Sequence, residues 1–166
     1  LQPGQALVTA LGRDDTIFEV NLTPNRGDAM SVLGVAREVA AARGKPLHAP
    51  AIEPVPATIG DTFPVRIDTA QSSDAPVGCY KFVSRVIRGI RPNTASPFWM
   101  QERLRRAGLR PISAVVDITN YVMLDLGAPM HAYNLGHLSG GIRVRFSKAN
   151  ETLKLLDGRD IALTPD

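Results

Sequence analysis

A chain of 166 residues, 44% hydrophobic and 21% charged, suits one ordinary domain or two small pieces, with a core of Val, Leu, Ile and Ala because aromatics are few. No apolar run approaches the roughly 20 residues of a membrane span, and the single cysteine, Cys79, excludes an internal disulfide and agrees with a reducing cytoplasm. The net charge of +3 is uneven: residues 1–80 carry 6 Lys+Arg against 9 Asp+Glu, a balance of −3, and residues 81–166 carry 13 against 7, a balance of +6. The basic half is either where an anionic partner docks or a solvated Arg-rich face.

The start, Leu1-Gln2-Pro3-Gly4, has neither an initiator Met nor a signal-peptide pattern, and it reads as an internal cut in a longer protein. The end, Leu163-Thr164-Pro165-Asp166, reads as equally arbitrary. Phe18, Val20 and Leu22 alternate with Glu19 and Asn21, which predicts a half-buried strand. Thr23-Pro24-Asn25-Arg26-Gly27-Asp28 then breaks the pattern, with Asp28 as the expected N-cap of a helix. That helix carries Val32, Val35, Ala36, Val39 and Ala40 at helical spacing, and Gly44 and Pro46 stop it. Five prolines between 46 and 64 predict an extended linker. Val65 and Ile67 open a new strand, and Tyr80, Phe82, Ser84 and Val86 predict a longer one.

Ser96-Pro97 predicts a helix start, Ser as N-cap and Pro in the first helical position, with Met100, Leu104 and Ala107 on its apolar face. Gln101, Glu102, Arg103, Arg105 and Arg106 cover the rest, Trp99 is expected to pack in the core, and Gly108 closes the helix. Ile112, Val115, Val116, Thr119, Val122, Met123 and Leu126 form the apolar stripe of a second helix ended by Gly127 and Pro129. Ile142, Val144 and Phe146 alternate with Arg143 and Arg145 as a strand, and Asp157-Gly158 splits 153–163 as a two-residue hairpin signal. Strands and helices mix without a βαβ rhythm, so the expected class is α+β with a mixed or antiparallel sheet and packed helices.

Several chemistries lack their residues. Three dispersed histidines (48, 131, 137) and one cysteine make no metal-ligand spacing. There is no Gly-rich strand-to-helix loop, no Gly-x-Ser-x-Gly elbow, and no aromatic–basic interleaving of the single-strand-binding kind. What remains is the second helix and the loop beyond it. A sharp turn at Gly127/Pro129 would return His131 toward Thr119 and Asn120, a small polar set suited to positioning a water and an ester carbonyl. The same residues also fit plain structural duties: Thr and Asn bonding nearby backbone, His as a satisfied structural residue. Asp117 either anchors a basic neighbour such as Arg110 or is an exposed helix carboxylate, and Arg110 either meets an anion or is solvated.

Two long motifs carry a resemblance. Thr23-Pro24-Asn25-Arg26-Gly27-Asp28, followed by Leu33-Gly34-Val35-Ala36-Arg37-Glu38, resembles the first-domain signature of bacterial phenylalanyl-tRNA synthetase beta subunits. Arg110-Pro111-Ile112, Val116 through Leu124, Gly127, and Pro129-Met130-His131-Ala132-Tyr133 resemble the B3/B4 region of that family, and Gly141 to Arg145 and Leu155-Leu156-Asp157-Gly158 continue the match. The resemblance implies residues 1–46 as part of the first domain, 47–64 as the Pro-rich linker and 65–166 as the first part of an editing domain. It implies a cytoplasmic ligase that joins phenylalanine to tRNA(Phe) with ATP and Mg2+, the beta subunit partnering a catalytic alpha subunit in an alpha2beta2 heterotetramer. No cofactor is expected in this region itself. The region's implied activity is hydrolysis of tyrosine wrongly attached to tRNA(Phe), needed because an apolar pocket rejects an added hydroxyl only about a hundredfold. Thr119, Asn120 and His131 are the implied editing-pocket residues, and Arg110 belongs to the pocket's surroundings.

The chain departs from the family's usual residues at Ser113-Ala114, Ala128, Tyr133 and Asn134, none of them a proposed site residue. The family's B3/B4 region has a second, glycine-rich half whose carboxylate recognises the tyrosine hydroxyl, so these 166 residues alone are expected to be inactive. The rival expectations are a non-catalytic tRNA-contacting scaffold and a freestanding editing protein, the second disfavoured by the motif at 23–38.

Overall fold

The computed structural model describes residues 3–68 and 78–164. Leu1 and Asp166, the ends read from sequence as cuts, lie outside them. The class is α+β. Two compact units divide the chain: Leu1–Glu53 with Arg91–Ala132, and Pro54–Ile90 with Tyr133–Asp166. Among the described residues, all four α-helices lie in the first and all four strands in the second.

The first unit begins with the single turn α1 (Leu7–Ala10). The segment after it is held to a later helix by charge. Arg106 bonds Asp15 at 2.6 Å and the Gly12 carbonyl at 2.6 Å, while Arg13 sits 3.5 Å from Glu102. The strand expected at 18–22 does not form, and Phe18 is 80% exposed. Alternation supplies one apolar face, but a strand also needs a ladder partner, and this unit offers none among the described residues.

The turn at 23–29 is built by charge and hydroxyl. Thr23 donates to Asn25 at 2.6 Å, and the Arg26 guanidinium grips Asp28 at 3.0 Å through two nitrogens and Glu38 at 2.5 Å. Asp28 is therefore not the helix cap that sequence predicts. Ser31 caps α2 (Val32–Arg43) instead, its hydroxyl accepting the Gly34 N–H at 2.9 Å. Gly34 has a packing reason: a Cβ there would stand 2.6 Å from the Asp28 carbonyl oxygen. Gly44 ends the helix in the left-handed region as expected, the Lys45 N–H reaching the Ala40 carbonyl.

α3 (Phe98–Arg106) has Pro97 and not Ser96 as its N-cap, and the Ser96 hydroxyl turns elsewhere. Met100 and Leu104 are buried, Leu104 completely, but Ala107 is exposed. Glu102, expected on the wet face, is buried between Arg13 and Arg105. Gly108 closes the helix with both bonds of a Schellman motif, Leu109 N–H to Leu104 and Gly108 N–H to Arg105. α4 (Ala114–Leu126) packs against α2 and α3 and stops at Gly127, whose φ of 76° is left-handed. A Cβ at Gly127 would lie 3.2 Å from the Ser31 hydroxyl, so glycine serves both the turn and the close approach to α2.

In the second unit β1 (Val65–Ile67) and β2 (Ile142–Val144) pair in parallel, Arg66 directly opposite Arg143. β3 (Thr152–Lys154) and β4 (Asp160–Ala162) form the expected hairpin. Its loop holds three residues rather than two. The Gly158 N–H bonds the Leu155 carbonyl, the Leu155 N–H bonds the Arg159 carbonyl, and Gly158 takes a φ of 88°. That is a turn closed by a glycine bulge. The strand expected at 80–86 is not in a ladder. It lies along residues 55–65 in a groove, with Arg85 donating to the Val55 carbonyl at 2.7 Å.

Candidate functional site

α4 carries Thr119 and Asn120, and its position rests on one carboxylate. Asp117 is 1% exposed, on the fourth helical residue, where a negative charge also suits the helix N-terminus. One oxygen accepts the Ser96 hydroxyl at 2.5 Å and the other the Ile112 N–H at 2.8 Å. The Ala114 N–H reaches the Thr94 carbonyl at 2.9 Å. The strand-like entry Arg110-Pro111-Ile112 and the segment before α3 are thus both pinned to the first turn of α4. Asp117 is neither the partner of Arg110 nor an exposed carboxylate. Ser96, 21 residues earlier, had no sequence signal linking it to Asp117, because the pairing is long-range.

Thr119 and Asn120 are half-buried neighbours, about 100° apart around the helix. The Thr119 hydroxyl donates to the Val116 carbonyl at 2.7 Å, the local backbone bond that threonine often makes in helices. The Asn120 amide has no hydrogen-bond partner among the described residues. His131 lies in the same unit, exposed, in the coil four residues beyond Gly127. Arg110 is exposed in the loop that Asp117 anchors. Chain order and α4 geometry therefore place Asn120 and Thr119 together, with Arg110 before the helix and His131 after it.

Sequence reasoning also missed a cluster on the α3–α4 surface. Trp99 is not a core residue; it is 51% exposed and meets Tyr121 edge-on at 5.4 Å. The Arg103 guanidinium sits 5.7 Å from the Trp99 ring and 5.9 Å from the Tyr121 ring, and donates to the Tyr121 hydroxyl at 2.7 Å. The i, i+4 spacing of Trp99 and Arg103 was the available clue. No group of three His, Cys, Asp or Glu among the described residues could hold a metal ion, and no helix among them is long and apolar enough to cross a membrane.

Comparison with known proteins identifies the pattern. The B3/4 domain family matches residues 78–166, more than half of the chain. The chain belongs to the B3/4 domain family. Beyond that match, it is 52% identical over 161 residues to the phenylalanine–tRNA ligase beta subunit of Nitrosococcus oceani, covering 97% of this chain and 20% of the relative. Against the same subunit from Bordetella pertussis it is 51% identical over 165 residues, 99% of this chain and 20% of the relative. For Dickeya dadantii the identity is 50% over 153 residues, 92% of this chain and 18% of the relative. This B3/4 chain thus spans about a fifth of the length of the curated relatives it matches. The helix α4, the Arg110 loop and His131 all fall inside the family match.

Proposed function

We propose that this B3/4 chain is part of the beta subunit of phenylalanine–tRNA ligase and contributes to hydrolytic editing of Tyr-tRNA(Phe). The observation that carries the reading is identity of about half to beta subunits across nearly the whole chain. On this reading residues 1–46 belong to the first domain, 47–64 link, and 65–166 belong to the editing domain. The complete enzyme is cytoplasmic, an alpha2beta2 heterotetramer that acts on tRNA(Phe) with ATP and Mg2+. ATP and Mg2+ serve aminoacylation, and no editing step here is routed through them.

The editing step is ester hydrolysis. Water oxygen attacks the aminoacyl carbonyl, the tetrahedral oxyanion collapses, and the ribose oxygen leaves with the water's proton, releasing tyrosine and free tRNA. The unpartnered Asn120 amide is suited to donate to the oxyanion, where a single well-placed donor is worth about 2.7–4 kcal/mol. The Thr119 O–H already donates its hydrogen bond to the Val116 carbonyl, so its oxygen is left as an acceptor for the substrate's α-amino group. His131 positions the attacking water, and Arg110 meets the nucleic-acid side of the substrate. Asp117 does none of this chemistry; it holds α4 in place.

The test uses the assembled ligase. Asn120→Ala and His131→Ala are each expected to lower Tyr-tRNA(Phe) hydrolysis by about a hundredfold or more, with tRNA(Phe) affinity and phenylalanylation intact. Normal hydrolysis with weakened tRNA affinity supports a non-catalytic RNA-contacting role instead.

A further inference from the structure

We propose that Arg66 and Arg143, on the second unit, form a contact for the phosphodiester backbone of RNA. This rests on the reading that the chain serves a tRNA ligase. The two arginines face each other across the parallel β1/β2 register. Two like charges directly opposite on one sheet face oppose each other. Asp68, the next residue after β1, bridges them and offsets part of that repulsion.

The manner of bridging is what points outward. Asp68 meets each guanidinium at its Nε: Arg143 Nε donates to Oδ2, and Arg66 Nε lies 2.7 Å from Oδ1 without the alignment of a directed bond. The terminal nitrogens of both arginines have no partner among the described residues, which leaves two anchored forks with eight N–H groups unspent. Arg145, two residues on, shows the contrast. Both of its terminal nitrogens are consumed, by Glu151 at 2.6 and 2.9 Å and by the Phe146 carbonyl at 2.8 Å.

The site has a floor. A depression of about 310 Å³ is lined by Arg66 and Arg143 together with Pro64, Ser139, Gly140 and Gly141. The Ser139 hydroxyl and the Gly140 and Gly141 amides have no partner among the described residues, so neutral donors stand beside the two cations. The arginine side chains are 78% and 58% exposed, which suits a chain laid across the surface more than a small anion enclosed in a cavity. Forked guanidiniums match phosphate oxygens bidentately, and two of them on one face span the successive phosphates of a backbone.

The experiment measures equilibrium binding of labelled tRNA(Phe) to the assembled ligase across a salt series. The double variant Arg66→Gln/Arg143→Gln, with folding checked by circular dichroism, is expected to bind roughly tenfold more weakly, and its log–log salt slope to be shallower by roughly 1.4 to 1.8. Asp68→Asn keeps both arginines and removes the competing carboxylate, so it is expected to bind severalfold more tightly. It decides the matter should the double variant fail to fold: unchanged or weaker binding there overturns the proposal. Wild-type affinity and slope in a folded double variant overturn the phosphate site and leave the ligase reading standing. Absence of tRNA binding by the unaltered ligase overturns both. Displacement of RNA by inorganic phosphate beyond the effect of chloride at equal ionic strength overturns the RNA assignment in favour of a small-anion site.

Discussion

The two units are held together by different forces. The helical unit contains every buried side chain among the described residues: Ala29, Met100 and Leu104 as its apolar core, and Ser96, Glu102 and Asp117 as its polar one. Among the described residues the strand unit buries none. It rests on two three-residue ladders and on ion pairs such as Arg88–Asp61, Arg143–Asp68 and Arg145–Glu151. Exposed ion pairs each contribute about 0–1 kcal/mol, whereas one buried leucine contributes several times that. The lesson is one of placement: precise positioning is affordable where burial fixes it, and the half-buried α4 pair sits in that unit.

The largest expected effect breaks the comparison on its strong side. Leu104→Ala should destabilise the chain by about 2–5 kcal/mol, while Leu153→Ala, at a half-exposed leucine of β3, should cost well under about 1 kcal/mol. Urea denaturation of both variants checks this, and similar costs would mean the strand unit is as tightly packed as the helical one. Next is Asp117→Asn, which keeps one acceptor and leaves either the Ser96 hydroxyl or the Ile112 N–H without its partner. The expected loss is about 1–3 kcal/mol, with earlier hydrogen exchange at Ile112 as the local signature.

The smallest effect sharpens the weak side. Arg145, first through its side-chain hydrogen bonds, and then the Lys148 N–H hold the Glu151 carboxyl at about 2, below its ordinary 4.5. A depressed folded-state value means that the pair's contribution is fully present above pH 4.5 and is lost as pH falls through about 2. Glu151→Gln should therefore lower stability slightly at neutral pH and flatten the acid limb, the variant and the parent converging as pH falls through about 2, as thermal melts from pH 2 to 7 would register.

Local rules were legible in the sequence and long-range ones were not. Gly44, Gly108 and Gly127 end their helices as their positions foretell, because a left-handed cap needs only the adjacent chain. The Asp157-Gly158 turn does the same, with a bulge added. Asp28 failed as a cap because Arg26 holds its carboxylate and the helix begins further on, behind Ser31. Residues 18–22 and 80–86 alternate properly, yet a strand exists only with a partner, and alternation does not name one. On the candidate site, Thr119 and Asn120 were placed on the right helix by period alone. The buried Asp117–Ser96 bond that holds that helix joins residues with no shared pattern. Trp99 likewise read as core because size favours burial, whereas it lies half-exposed beneath its i+4 arginine.

The parallel pairing of β1 with β2 has a consequence for biosynthesis. Its partners, Val65–Ile67 and Ile142–Val144, are separated by a stretch that contains α3 and α4 of the other unit. On a ribosome the first strand emerges, waits, and cannot pair until the second has cleared the exit tunnel. Closing a loop of that size costs about 4 kcal/mol in chain entropy if the stretch is slack. All of α3 and α4 emerges before β2, so vectorial synthesis lets the helices pack first and leaves the arginine-bearing ladder last.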